Sequence, residues 1–265
     1  MALIQVNLFA ETLMRTVPVN VILPVERKPV AGVSRQRAER PFKTLYLLHG
    51  VTGNYMDWLT RTNIQEWAVE KDLAVVMPSG DNMFYVDQPG ANNFYGEYIG
   101  QELVELTRKM FPLSHKREGT FIAGLSMGGY GAIRNGLKYH DTFGYIGGLS
   151  SALITYGLET RTNESSVYLE RRDFAESIFG DLSKVKDSDM NPEWLVKKLS
   201  GEKVKTPKMY LACGTEDFLL DVNRKFRDVV NAAGMDAIYE EGPGGHEWAF
   251  WNSHIKKIID WLPLQ

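Results

Sequence analysis

The run Phe121-Ile122-Ala123-Gly124-Leu125-Ser126-Met127-Gly128-Gly129-Tyr130-Gly131-Ala132 decides how this chain is read. Its first three residues are apolar without interruption, the pattern of a strand buried on both faces. Its last residues form a glycine-rich helix start, and Gly124-Leu125-Ser126-Met127-Gly128 between them fits Gly-x-Ser-x-Gly. A sharp strand-to-helix turn of this kind holds its serine in a strained backbone conformation, so the residues two before and two after must be tiny. Gly128, Gly129 and Gly131 also let the helix pack close to the strand. A serine presented this way becomes a nucleophile when a base, itself oriented by an acid, takes its proton.

The rest of the chain repeats the strand-then-helix theme. Uninterrupted apolar runs occur at residues 44–48, 73–77, 145–149 and 208–212, with a shorter one at 237–239. Helix-like segments lie between them at 63–70, 97–111, 127–139, 219–233 and 248–261; in the second, Leu103, Leu106 and Met110 recur at helical spacing. Such alternation implies an α/β fold with a parallel sheet covered by helices on both faces. Ahead of it, Ile4, Val6 and Leu8 alternate with Gln5 and Asn7 as in a half-buried edge strand, and residues 17–23 form a β-branched run closed by Pro24. Residues 26–41 are basic, contain Pro29 and Gly32, and read as an exposed hairpin loop. Residues 151–206 are charged and lack a clear strand, with short helical pieces around 173–179 and 192–199. They read as a small helical insertion over one end of the sheet, within a single domain spanning 1–265.

Composition narrows the class. The chain has 265 residues, 44% of them hydrophobic, enough for a large core. Lys+Arg 30 against Asp+Glu 33 leaves a net charge of −3, so no basic field exists to hold nucleic acid or an anionic membrane. The single cysteine, Cys213, excludes an intrachain disulfide and a multi-cysteine zinc site, and it reads as a small buried residue ending a core strand. The first residues lack the basic segment and apolar core of a signal peptide, and no apolar run approaches the roughly 20 residues that span a bilayer. The expectation is a cytoplasmic protein.

The base and acid are sought downstream, in the order serine, acid, histidine. Of the later histidines, His140 closes the helix after the elbow and His254 lies on one face of the last helix. His246, in Gly242-Pro243-Gly244-Gly245-His246-Glu247-Trp248, follows the last strand and so reaches the carboxyl edge of the sheet. The acid should follow the strand at 208–212. Asp217 is preferred there, because the Gly214-Thr215 turn aims it across the strand ends; Glu216 reads as solvated and Asp221 is the fallback. Acyl transfer also needs backbone donors for the developing oxyanion. Met127 N–H, at the helix start, is one, and Val51 N–H, after Leu48-His49-Gly50, is the other. His49 either contacts substrate or orients this loop. Trp58 and Trp251 are read as substrate contacts, with Phe84, Tyr85, Asn92 and Asn93 as further loop residues able to line a pocket.

These motifs together resemble the esterase D / tributyrin esterase family of α/β-hydrolases, which includes S-formylglutathione hydrolases, feruloyl esterases and the antigen 85 mycolyltransferases. The carrying residues are Leu47-Leu48-His49-Gly50 with Trp58, the elbow run, Gly214-Thr215-Glu216-Asp217-Phe218, and Gly244-Gly245-His246-Glu247-Trp248-Ala249-Phe250-Trp251. The resemblance spans essentially the whole chain. It implies a mostly parallel sheet of about eight strands, a Ser126, Asp217 and His246 triad with Val51 and Met127 as oxyanion donors, and a small-molecule ester substrate without cofactor or metal. Short acyl esters from acetyl to butyryl are expected, tributyrin and acylated sugars among them. The S-formylglutathione branch usually carries Ser-Gly-Leu-Thr-Cys where this chain has His49-Gly50-Val51-Thr52-Gly53, which lowers the thioester reading. Cinnamoyl esterase activity and acyl transfer to an acceptor other than water are the remaining alternatives. Family members of this size often associate, so the resemblance also allows a homo-oligomer.

Overall fold

The computed structural model describes residues 1–25, 41–202 and 204–264. The basic loop read at 26–41 therefore lies, but for Pro41, outside the described residues. The strands are β1 (Ala2–Ala10), β2 (Arg15–Leu23), β3 (Lys43–Leu48), β4 (Leu73–Pro78), β5 (Asp87–Gln88), β6 (Asn93–Phe94), β7 (Thr120–Leu125), β8 (Tyr145–Leu149), β9 (Lys208–Gly214) and β10 (Ala237–Gly242). Eight of them form one sheet in the order β1-β2-β4-β3-β7-β8-β9-β10, while β5 and β6 pair as a separate ribbon. The hairpin β1–β2 joins antiparallel, and from β4 to β10 every pairing is parallel. The central strands are buried from end to end, which is why they read as unbroken apolar runs. By contrast β1 alternates partly buried with exposed residues, as an edge strand with one wet face should.

Alternate residues feed two cores. Tyr46, Leu48, Val76 and Ile122 face the side covered by helices Leu103–Met110, Met127–Lys138 and Leu220–Ala232. Leu45, Leu47, Val75 and Phe121 face the other, where Trp58, Ile64, Trp67 and the helix Trp248–Trp261 pack. The segment expected as one helix at 97–111 begins earlier, at Tyr95, and contains a π-turn over Tyr98–Glu102 before the regular helix Leu103–Met110. A five-residue helix, Asp57–Arg61, is too short for its period to show in the sequence.

Between β8 and β9, residues 151–206 hold the helices Arg172–Phe179, Leu182–Val185 and Pro192–Glu202. This segment is tied to the helix Met127–Lys138 by a buried charge cluster. The Arg134 side chain is wholly buried; its Nη2 lies 3.0 Å from Asp189 Oδ2 and 3.3 Å from Asp87 Oδ2, and its Nε donates to the Asp189 carbonyl. Lys138 Nζ meets the same two carboxylates at 2.7 and 3.0 Å. Two cations and two anions thus neutralise each other where water does not reach Arg134, the condition under which a buried charge is tolerated. Burial alone would lower the Arg134 pKa, but Asp189 and Asp87 outweigh it and hold the guanidinium more firmly charged than usual. No helix among the described residues is long and apolar enough to cross a membrane.

Candidate active site

Ser126 occupies the single-residue step between β7 and the helix Met127–Lys138, at φ 52° and ψ −119°. A non-glycine residue at positive φ is strained and persists only where its surroundings dictate it. Here Ser126 N–H donates to the Leu149 carbonyl, and its own carbonyl accepts from Tyr130 and Ala152 N–H. The flanking glycines explain why the turn closes. A Cβ on Gly124 would stand 2.3 Å from the Gly128 carbonyl oxygen, and one on Gly128 would stand 2.4 Å from that of Leu48. Neither space admits a methyl group.

The other members arrive from the neighbouring strand ends. Asp217 lies in the turn after β9, its carboxylate without solvent exposure, and His246 lies in the loop after β10. Ser126 Oγ is 3.0 Å from His246 Nε2, and His246 Nδ1 is 2.9 Å from Asp217 Oδ2. Asp217 Oδ1 also accepts the Leu219 N–H at 2.9 Å. Burial disfavours the ionised carboxylate most strongly. Donors from His246, Leu219 and the Ser150 hydroxyl overcome that penalty and hold Asp217 below the usual carboxylate range. It stays an acceptor, so the imidazole keeps its proton on Nδ1 and offers Nε2 to the serine.

Two of the other acidic and basic candidates sit elsewhere. Asp221 is exposed in the first turn of the helix Leu220–Ala232, and His140 follows the far end of the helix Met127–Lys138, about 20 Å from its start at 1.5 Å per residue. Glu216 corrects its sequence reading. Although exposed, it is not merely solvated: Oε2 accepts the Gly244 N–H at 2.5 Å while its own N–H donates to the Gly244 carbonyl. These two bonds fasten the turn after β9 to the histidine loop, and the Gly244 bond is the main cause of a lowered Glu216 carboxyl pKa.

Met127 N–H is the first of its helix and has no intrahelical acceptor. Among the described residues neither Met127 nor Val51 N–H makes a hydrogen bond, whereas Thr52 and Gly53 N–H are engaged by Asn82 and Gly50. The two turns are adjacent, since a Cβ on Gly50 would lie 3.5 Å from Ser126 Cβ. Two free donors beside the serine are what a developing oxyanion requires.

Trp58 and Trp251, read as substrate contacts, are buried framework, and His49 takes the loop-orienting one of its two readings. His49 is 1% exposed; Nδ1 donates to the Gly50 carbonyl and Nε2 accepts the Gly80 N–H, so both ring nitrogens serve the loop. Trp58 is equally buried, and its indole donates to the Leu48 carbonyl at 2.9 Å. Trp251 packs edge-on to the His246 ring at 4.9 Å and donates to Ser150 Oγ. Trp58, Trp248 and Trp251 form a contiguous edge-to-face chain that reaches His246 through Trp251. Phe84 and Tyr85 are also buried, Phe84 against Tyr130, Phe174 and Phe179, while Asn92 is exposed. Ser150 escaped the sequence reading. Its signal lies in the register: Leu125 pairs with Leu149 and Leu149 with Ala212, so Ser126 and Ser150 follow the ends of β7 and β8 beside Cys213 of β9.

His254 is buried too, stacked on Phe250 with Nδ1 on the Phe250 carbonyl at 2.9 Å. Burial pushes the pKa of both His254 and His49 below the ordinary histidine value. As the pH falls through about 6.5 the unfolded chain takes up protons that the folded chain refuses, so stability is present above that value and lost below it. Wild type is expected to lose more thermal stability between pH 7.5 and pH 5.5 than His254→Gln, by about 2 °C in Tm. Equal losses in scanning calorimetry would count against this account.

Sequence profiles place residues 10–262 in register with the Esterase family, described as "Putative esterase". An acetyl esterase of Caldicellulosiruptor saccharolyticus is 43% identical over 262 residues, covering 99% of this chain and 98% of that protein. Among solved structures, the substrate-bound fluorophosphonate-binding serine hydrolase FphF of Staphylococcus aureus superposes with a TM-score of 0.85 at 32% identity, covering 100% of this chain and 98% of its own. An S-formylglutathione hydrolase (FrmB) of the same organism gives 0.83 at 32% identity, covering 100% and 99%.

Proposed function

Because the chain belongs to the Esterase family of α/β-hydrolases and is a serine esterase, we propose that it hydrolyses short-chain acyl esters, acetyl to butyryl, through an acyl-enzyme on Ser126. The observation that carries the mechanism is the continuous line from Ser126 Oγ through His246 to buried Asp217, at 3.0 and 2.9 Å. His246 Nε2 takes the hydroxyl proton as Ser126 attacks the ester carbonyl, and Asp217 stabilises the imidazolium without taking its proton. The carbonyl oxygen gathers negative charge against the Val51 and Met127 N–H groups. His246 then protonates the departing alcohol; it next takes a proton from water as that water attacks the acyl carbonyl, and returns it to Ser126 Oγ as the bond to the acyl group breaks and the acid leaves.

The acyl preference is supported by the acetyl esterase relative that matches nearly end to end. We take residues 151–206 as the element that bounds the acyl side, because Ala152 N–H donates to the Ser126 carbonyl and the segment departs from there. Thioester hydrolysis is the second reading, favoured by the FrmB likeness and opposed by Gly53, where that branch has cysteine.

A panel of p-nitrophenyl esters from two to twelve carbons, with acetylated sugars, methyl ferulate and S-formylglutathione, tests the proposal. Acetyl to butyryl esters are expected to lead in kcat/KM, with octanoyl lower by about tenfold or more. Long-chain esters or S-formylglutathione leading the panel would overturn the substrate assignment.

A further inference from the structure

Phe218 is 78% exposed, the largest exposure among the large hydrophobic residues described, and it stands next to a buried carboxylate. Lone apolar residues on a surface need no explanation. This one is informative because of its neighbour: its ring centroid is 4.7 Å from that of His246, whereas buried Trp251 takes another side of the same imidazole at 4.9 Å. The backbone on either side is pinned. Asp217 N–H donates to the Gly214 carbonyl, the Asp217 carbonyl accepts from Leu220, and Leu219 N–H donates to Asp217 Oδ1. An aromatic ring on a pinned backbone, resting on His246, binds a partner with less ordering cost than one on a free loop.

Acyl transfer fixes which part of the substrate meets it. The imidazolium must protonate the ester's alcohol oxygen, so that oxygen comes within hydrogen-bond reach of His246 Nε2 and the alcohol departs past the histidine. We propose that Phe218 is a specificity-determining residue for the leaving group, offering its open face to alcohols that carry a flat apolar face, such as an aryl ring or the C–H face of a pyranose. This rests on His246 being the base of the proposed reaction.

The chemistry separates this role from support of His246. Once the alcohol has left, the acetyl-enzyme is the same whatever ester supplied it. A residue that recognises the alcohol therefore acts on acylation, whereas one that positions His246 acts on acylation and deacylation alike. Phe218→Ala is expected to lower kcat/KM for phenyl acetate and for an O-acetylated pyranoside about tenfold more than for ethyl acetate, and Phe218→Tyr to restore the preference. The deacylation rate constant, taken from the burst kinetics of p-nitrophenyl acetate, should keep its wild-type value in both variants. Equal losses on all three esters with slowed deacylation would overturn the proposal and leave the esterase reading standing. An unchanged alcohol preference with altered sedimentation would also overturn it, making the ring an association surface. Full activity in Ser126→Ala would instead remove the reading beneath it.

Discussion

Ser126→Ala is expected to lower kcat on p-nitrophenyl butyrate by roughly 10⁴- to 10⁶-fold while the protein stays folded. Serine, histidine and acid act as one unit, so deleting the nucleophile removes nearly everything that the unit contributes. The oxyanion donors and substrate binding remain and account for the residue of activity above water. The fold should survive because the elbow is shaped by backbone bonds and by Gly124 and Gly128, none of which involve the hydroxyl. Alanine at φ 52° meets the same strain as serine. Unaltered Tm with burst-free, near-background hydrolysis is the expected pair of results. Activity within tenfold of wild type would remove Ser126 from the chemistry.

Asp217→Asn is expected to cost about 10⁴-fold in kcat at neutral pH. The carboxylate only accepts, from His246 Nδ1, from Leu219 N–H and from the Ser150 hydroxyl. An amide with its oxygen on Leu219 turns an NH₂ group toward Nδ1, which then becomes the acceptor. The imidazole proton moves to Nε2, the atom that must receive the serine proton, and the base is lost. Geometry changes little, so binding should suffer less than kcat. Asp221→Asn alters an exposed side chain on the neighbouring helix and serves as the contrast. A steep loss there, with Asp217→Asn spared, would transfer the acid role to Asp221.

Much of this was legible in the order of residues. β3, β4, β7, β8 and β9 are buried on both faces, so their apolar runs were continuous, and the glycine pattern around Ser126 announced a turn with no room for side chains. The triad candidates followed from topology, because parallel strands present the segments after their carboxyl ends at one edge. What escaped depends on contacts between segments distant in sequence. Trp58 and Trp251 look alike in a sequence whether they meet substrate or each other's neighbours; only packing between the helices Asp57–Arg61 and Trp248–Trp261 through Trp248 decides it. Ser150 required the register of β8 against β7 and β9. Glu216 required knowing that the histidine loop returns to lie over it. The helix Asp57–Arg61 offered barely more than one turn, too little for a period.

The Arg134 cluster also bears on how such proteins diversify. Residues 151–206 sit between β8 and β9, a position at which a whole segment could be exchanged as a cassette. Asp189, however, belongs to that segment, while Arg134 and Lys138 belong to the helix that starts beside Ser126, and Asp87 to the ribbon. A donor segment lacking a carboxylate at this point would leave buried Arg134 with Asp87 as its remaining carboxylate, shared with Lys138, at a cost of about 1–3 kcal/mol. That is a large share of the 5–15 kcal/mol by which a domain is stable. A graft must therefore bring its own carboxylate, or the recipient must give up Arg134: the segment and the helix behind Ser126 can be exchanged only as a matched pair.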